Sequence, residues 1–134
     1  MLSPNTDTAK LTDRDKFYLD ILTTAIEGGI QYWATVEEYR WGIDAGIDPA
    51  APYAVIIDTG VVPSVQHTVN LETIRKGMNL LRNGGGHHTK PGPEWWCKKW
   101  SDAYDECADD SWDFDAGDAD SVVQAGLLGE VVYG

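Results

Sequence analysis

No run of apolar residues in this 134-residue sequence approaches the roughly 18 that a membrane-spanning helix needs, so no membrane association is expected. Basic residues are scarce: 10 Lys and Arg stand against 22 Asp and Glu, a formal net charge of −12. A nucleic-acid groove needs a basic face for the phosphates, so direct binding to nucleic acid is not expected either. Cysteine is scarce too. Cys97 and Cys107 are ten residues apart, about 15 Å along an ideal helix, so a disulfide between them is not expected and both are read as reduced thiols. Met1–Lys10 lacks the basic-then-apolar order of a secretory signal, which makes a cytoplasmic location the expectation. Also missing are a nucleophile elbow, a phosphate loop, a dinucleotide fingerprint and a metalloprotease helix. Gly84-Gly85-Gly86 has neither the preceding strand nor the following lysine of a phosphate cradle. No reaction and no cofactor is implied.

What remains is the sequence of a folded globule. Its hydrophobic fraction of 43% and aromatic fraction of 10% are too high for a disordered acidic tail. Residues 1–10 read as a flexible arm and 11–134 as a single α+β domain. Thr12 or Asp13 offers an N-cap, and Phe17, Leu19, Ile21, Leu22, Ala25 and Ile26 recur at helical spacing. A helix is predicted over 13–27, with Gly28-Gly29 as its stop or as a kink. Val36, Tyr39 and Trp41 among Glu37, Glu38 and Arg40 predict a strand over 34–42. The run Tyr53-Ala54-Val55-Ile56-Ile57-Asp58 predicts a central strand over 53–59, and Val61-Val62 with residues 66–69 offers a shorter third. Asn70 is placed to cap a second helix over 71–83.

The stretch 84–93 holds four glycines, two prolines and His87-His88, and is predicted to be an exposed loop, the least ordered internal region. A third helix is predicted over 93–109, with Trp96, Trp100, Ala103, Tyr104 and Cys107 down one side. The last is predicted to begin after Asp118 and to be apolar nearly all round, with Gly126 and Gly129 allowing a neighbour to approach closely. The sum is a small antiparallel sheet of two or three strands packed against about four helices.

Charge is concentrated in one place. From Glu94 to Asp120, ten acids (Glu94, Asp102, Asp105, Glu106, Asp109, Asp110, Asp113, Asp115, Asp118 and Asp120) stand against Lys98 and Lys99, so this stretch carries −8 of the −12. Trp95, Trp96, Trp100 and Trp112 lie in the same stretch. On a helix, residues 96 and 100 share a face while Trp95 points about 100° away, so one small core does not easily hold all three. An exposed indole ringed by carboxylates is a binding surface. The partner-binding residues predicted are Trp95, Trp96, Trp100, Asp102, Asp105, Glu106, Asp109, Asp110, Trp112, Asp113 and Asp115. The competing reading has all four indoles covering the core.

Metal binding has weaker support. His67, His87, His88, Cys97 and Cys107 are zinc-binding types, and His87, His88, Cys97 and Cys107 are the nearest to a set, but no two form the short fixed pairs of a zinc framework. Asp113 to Asp120 resembles a calcium loop only superficially. Gly117 stands where a third acid belongs, and Gln124 where a bidentate Glu closes the cage.

The closing string DADSVVQAGLLGEVVYG, from Asp118 to Gly134, resembles the end of small uncharacterised proteins encoded by actinobacteriophages, of the mycobacteriophage kind. Ala25 to Trp33 (AIEGGIQYW) resembles them as well, as does Val69 to Ile74 (VNLETI) followed by Gly77. The resemblance implies phage origin, an accessory role in infection and a place in the cytoplasm of the infected host cell. It transfers no catalytic residue. The expected function is therefore non-enzymatic: binding and modulating a host or phage protein through the acidic, tryptophan-bearing stretch, as a mimic of nucleic acid on a basic site. Two alternatives stand beside it. One is a metal- or nucleotide-binding protein, with enzymes of that kind included; the other is a homo-oligomeric structural component. The oligomeric state is left open.

Overall fold

The computed structural model describes residues 13–40, 52–87, 89, 92–106 and 115–133. The predicted arm over 1–10 lies outside the described residues. Helix α1 spans Asp13–Thr24 and continues into one π-helical turn, Ala25–Gly29. Phe17, Tyr18, Ile21, Leu22, Ala25 and Ile26 bury one side of it, at the spacing the sequence displays. The wide turn replaces the predicted stop at Gly28-Gly29 and closes with the Ile30 N–H on the Ala25 carbonyl at 3.1 Å. Its extra residue keeps both Ile26 and Ile30 in the core. Gly29 is pressed so near Ala116 that a Cβ there would lie 2.8 Å from the Ala116 carbonyl oxygen.

Strands β1 (Ala34–Arg40), β2 (Tyr53–Asp58) and β3 (Val65–Asn70) form one antiparallel sheet in the order β1-β2-β3. The register sets Val36 beside Ile56 and Tyr39 beside Ala54. Val36 and Tyr39 are three residues apart, which on a regular strand would place them on opposite faces. The register shift between Val36 and Glu38 is a bulge that returns both to the same face. Along β2 burial alternates, with Ala54, Ile56 and Asp58 inside and Tyr53, Val55 and Ile57 half exposed. Helices cover one face, and Thr35, Glu38, Gln66 and Thr68 hold the other in water. The predicted end of β1 at 41–42 lies outside the described residues, and Val61-Val62 is an exposed turn before β3.

Asn70 ends β3 and caps helix α2 (Leu71–Arg82). Its side chain accepts the Thr73 N–H at 3.0 Å, and the Thr73 hydroxyl accepts the Asn70 N–H at 3.2 Å. Helix α3 spans Glu94–Glu106 and α4 spans Ala116–Leu128; the predicted extension of α3 to Asp109 lies outside the described residues. Helix α4 starts before Asp118, not after it. Asp115 and Asp118 form a reciprocal cap, with Asp115 accepting the Asp118 N–H at 2.8 Å and Asp118 accepting the Asp115 N–H at 3.3 Å. Helices α2 and α4 meet backbone to backbone: a Cβ on Gly77 would lie 2.0 Å from the Val122 carbonyl oxygen, and one on Gly126 would lie 2.1 Å from that of Thr73. Gly126 thus has the close neighbour predicted for it, whereas Gly129 ends α4 at a φ of +81°.

Within the stretch 84–93, predicted to be an exposed loop, Thr89 is exposed and residues 88, 90 and 91 lie outside the described residues, but the first part is covered. Gly86 and His87 are buried, and the Trp96 indole N–H holds the Gly85 carbonyl at 2.7 Å. Positive φ at Gly84 and Gly86 lets the chain fold back under α3, where the aromatic rings cover it. No helix among the described residues is long and apolar enough to cross a membrane.

Candidate functional site

Helix α3 sorts its tryptophans by depth. Trp100 is 1% exposed and belongs to the core, Trp96 is half-buried, and Trp95 is 59% exposed. The three rings pack edge to face in series, with centroids 5.8 Å apart at each step, and His87 adds a further edge contact to Trp96 at 4.7 Å. Trp100 is therefore corrected from a partner-binding residue to a packing residue, because helical spacing turns it inward with Ala103. Trp112 lies outside the described residues.

The acids divide in the same way. Glu94 and Asp105 are exposed on the outward side of α3, which they share with Trp95, Lys98 and Asp102. Lys98 pairs with Asp102 at 2.8 Å across one turn. Glu106 closes the helix. Asp115 is exposed but committed to the α4 cap, and Asp118 takes the Lys99 ammonium at 2.6 Å. Asp109, Asp110 and Asp113 lie outside the described residues. Asp120 leaves the acidic surface altogether: it is buried, at 5% exposure. On the far side of α3, Tyr104 is clasped between two guanidiniums, Arg14 at 3.5 Å and Arg82 at 3.9 Å from its ring centre. Arg14 and Arg82 are thereby held away from its acidic side. Trp95 also borders a groove of about 470 Å³ whose other walls include His87, Val132 and Tyr133.

The metal candidates are engaged otherwise. His87, predicted to be solvent-exposed, is buried because the loop folds under the tryptophans. Its Nδ1 accepts the Thr89 N–H at 3.1 Å and meets the Thr89 hydroxyl at 2.9 Å. The Cys97 thiol donates to the Arg82 carbonyl at 3.0 Å. His88 and Cys107 lie outside the described residues, and His67 sits half-buried on the edge strand β3. Among the described residues no three His, Cys, Asp or Glu side chains come together to hold an ion.

A second constellation was not foreseen. Asp120 accepts the Trp33 indole N–H at 2.7 Å on one oxygen and the Tyr32 hydroxyl at 2.5 Å on the other. The amide of Gln124, itself fully buried, donates to both oxygens at 3.0–3.1 Å. Asp58 is also buried, accepting the Gly60 N–H at 2.7 Å and the Tyr133 hydroxyl at 3.1 Å on each oxygen. Tyr133 stacks on Trp33 with ring centres 5.2 Å apart and planes 15° from parallel. Burial, reinforced by the Asp120 hydrogen bond and charge, pushes the Tyr32 hydroxyl up to about 12. Burial and then Asp58 raise that of Tyr133. Both phenols are donors at neutral pH, as the carboxylates require. The signal was legible in part: Asp120 and Gln124 are four apart, on one face of a largely apolar helix, and such a pair needs a partner inside.

Among the described residues, neither constellation displays a nucleophile beside a base or an oxyanion pocket. No protein-family profile, no curated protein and no solved structure matches the chain.

Proposed function

We propose that this chain is a phage-encoded accessory protein that binds and modulates a host or phage protein through the outward side of α3. The observation that carries this reading is Trp95, 59% exposed at the head of a stripe that holds Glu94, Asp102 and Asp105 beside Lys98. An indole that is already ordered by its neighbours loses little freedom on binding, and desolvating it supplies the anchor. The carboxylates around it select a basic partner surface, of the kind that otherwise meets nucleic-acid phosphates. The −12 net charge extends that attraction beyond contact distance.

The test begins with capture of partners from an actinobacterial lysate and continues with the purified pair. Trp95→Ala is expected to weaken binding by about tenfold or more, the scale of a hot-spot residue. Glu94→Lys with Asp105→Lys should weaken it again and flatten its dependence on salt. Binding indifferent both to salt and to these reversals would remove the reading.

A further inference from the structure

Glu130–Tyr133 follows α4 without helix or strand, yet it is held along its length. The Val131 N–H donates to the Gly86 carbonyl at 2.9 Å. The Gln124 side-chain oxygen accepts the N–H groups of Val132 and Tyr133 at 2.8 and 2.7 Å, while its amide nitrogen donates to the Tyr133 carbonyl at 3.0 Å. Val131 packs against the core, Val132 points outward at 55% exposure, and the Tyr133 ring enters a slot floored by Trp33 and closed by Asp58. Main-chain hydrogen bonds with alternate side chains in pockets are how proteins grip an extended peptide. This body grips its own.

The slot is built without help from the segment that fills it. Asp58 is fixed by the Gly60 N–H, Trp33 by Asp120, and the Gln124 amide by Asp120. Gly60 leaves the room the ring needs: a Cβ there would lie 2.6–2.8 Å from the Tyr133 ring and hydroxyl. Chemical choice is built in as well. A phenol supplies the donor that the buried Asp58 carboxylate accepts, whereas a phenyl ring leaves that carboxylate under-bonded. A phosphorylated ring would press a dianion against it.

The geometry points to a peptide-recognition site in which the Trp33–Asp58–Gly60–Gln124 slot takes an extended apolar-x-Tyr segment of a partner protein, with residues 131–133 as the resident occupant that the partner segment displaces. The site borders the same groove as Trp95 but uses none of the α3 acids, so it stands or falls separately from the reading above. Residues 131–133 themselves argue for the occupant's chemistry, since they show which backbone and which ring the slot accepts.

The probe is the acetylated peptide Gly-Glu-Val-Val-Tyr-Gly, titrated by calorimetry into the full chain and into its Tyr133→Ala variant, whose ring pocket is vacated. The variant is expected to bind one peptide per chain, and the wild-type chain to bind it about tenfold or more weakly because its own tyrosine competes. Replacing the peptide tyrosine by phenylalanine should cost about tenfold, and by phosphotyrosine should abolish binding. Adding Gly60→Ala to the variant should also abolish it, because the methyl group fills the slot. If Tyr133→Ala does not fold, Tyr133→Phe, which keeps the ring and loses only the donor, takes its place with the same ranking of peptides. A folded variant that binds no peptide, or binds the tyrosine and phenylalanine peptides equally, overturns the proposal. So does a concentration-dependent dimer of the wild-type chain that Tyr133→Ala abolishes, which would make a second copy the occupant.

Discussion

Two regions of this molecule are built from the same materials and do opposite things with them. Around Trp33, the carboxylates of Asp58 and Asp120 lie inside, and their oxygens are met by donors that include residues 75, 87 and 88 positions away. Along α3, the carboxylates of Glu94, Asp102 and Asp105 stand beside Trp95 in water, and the one ion pair among them is a single helical turn long. A buried carboxylate is tolerable only when donors reach it: the turn before β1 brings Tyr32 and Trp33 to Asp120, and the last residues bring Tyr133 to Asp58. No such requirement acts on α3. The same indole–carboxylate pairing is thus a fastening in one place and an available surface in the other.

The sharpest way to break the comparison is to remove one acid from each side. Asp120→Ala leaves the Trp33 indole without its acceptor and takes one from the Tyr32 hydroxyl and the Gln124 amide, and is expected to cost about 2–5 kcal/mol of folding stability by denaturant unfolding. Asp105→Ala should stay within about 0.5 kcal/mol of the parent in the same assay. Equal losses would mean that the two regions are not distinct in kind.

A smaller effect separates them by pH. The Tyr32 phenol is held at about 12 in the fold, against an ordinary value near 10, so its protonated form is the one the fold favours. Its contribution is complete below pH 10 and is lost as pH rises toward 12. Melting temperature should therefore fall across that window, and Tyr32→Phe should flatten part of the slope, with the rest belonging to Tyr133. A melting temperature level from pH 9 to pH 12 in the parent would contradict the hydrogen bonds drawn to Asp120 and Asp58.

The smallest effect is on the outer side. Lys98 and Asp102 are 73% and 47% exposed at their side chains, so Asp102→Asn is expected to change stability by less than about 1 kcal/mol, and by less still in high salt. A larger, salt-resistant loss would show that this side of α3 is structural after all.

The α+β architecture was readable because its signals are local. Asn70 three residues before Thr73 marks a capped start, and the β-branched run over 53–58 marks a central strand. What sequence reading misplaced depends on direction or on distance along the chain. Counting acids gives charge without orientation, so Asp120 was grouped with Asp105 although one helix turns it inward and the other turns its neighbour outward. His87 was read as exposed because glycines and prolines surround it, and its cover comes from Trp95 and Trp96. Helix α4 starts earlier than predicted because Asp115 and Asp118 form a reciprocal cap, which the apolar spacing after Asp118 does not announce. Tyr133 was read only as part of a resemblance, since nothing nearby in the sequence announces Asp58 or Trp33.

Gly77 and Gly126 have a mechanical consequence. With carbonyl oxygens occupying the places where Cβ atoms would stand, a side chain at either position would have to push α2 and α4 apart. Gly129 is the contrast: at a φ of +81° with open space around the missing Cβ, it turns the chain out of α4 toward the slot without any such close neighbour.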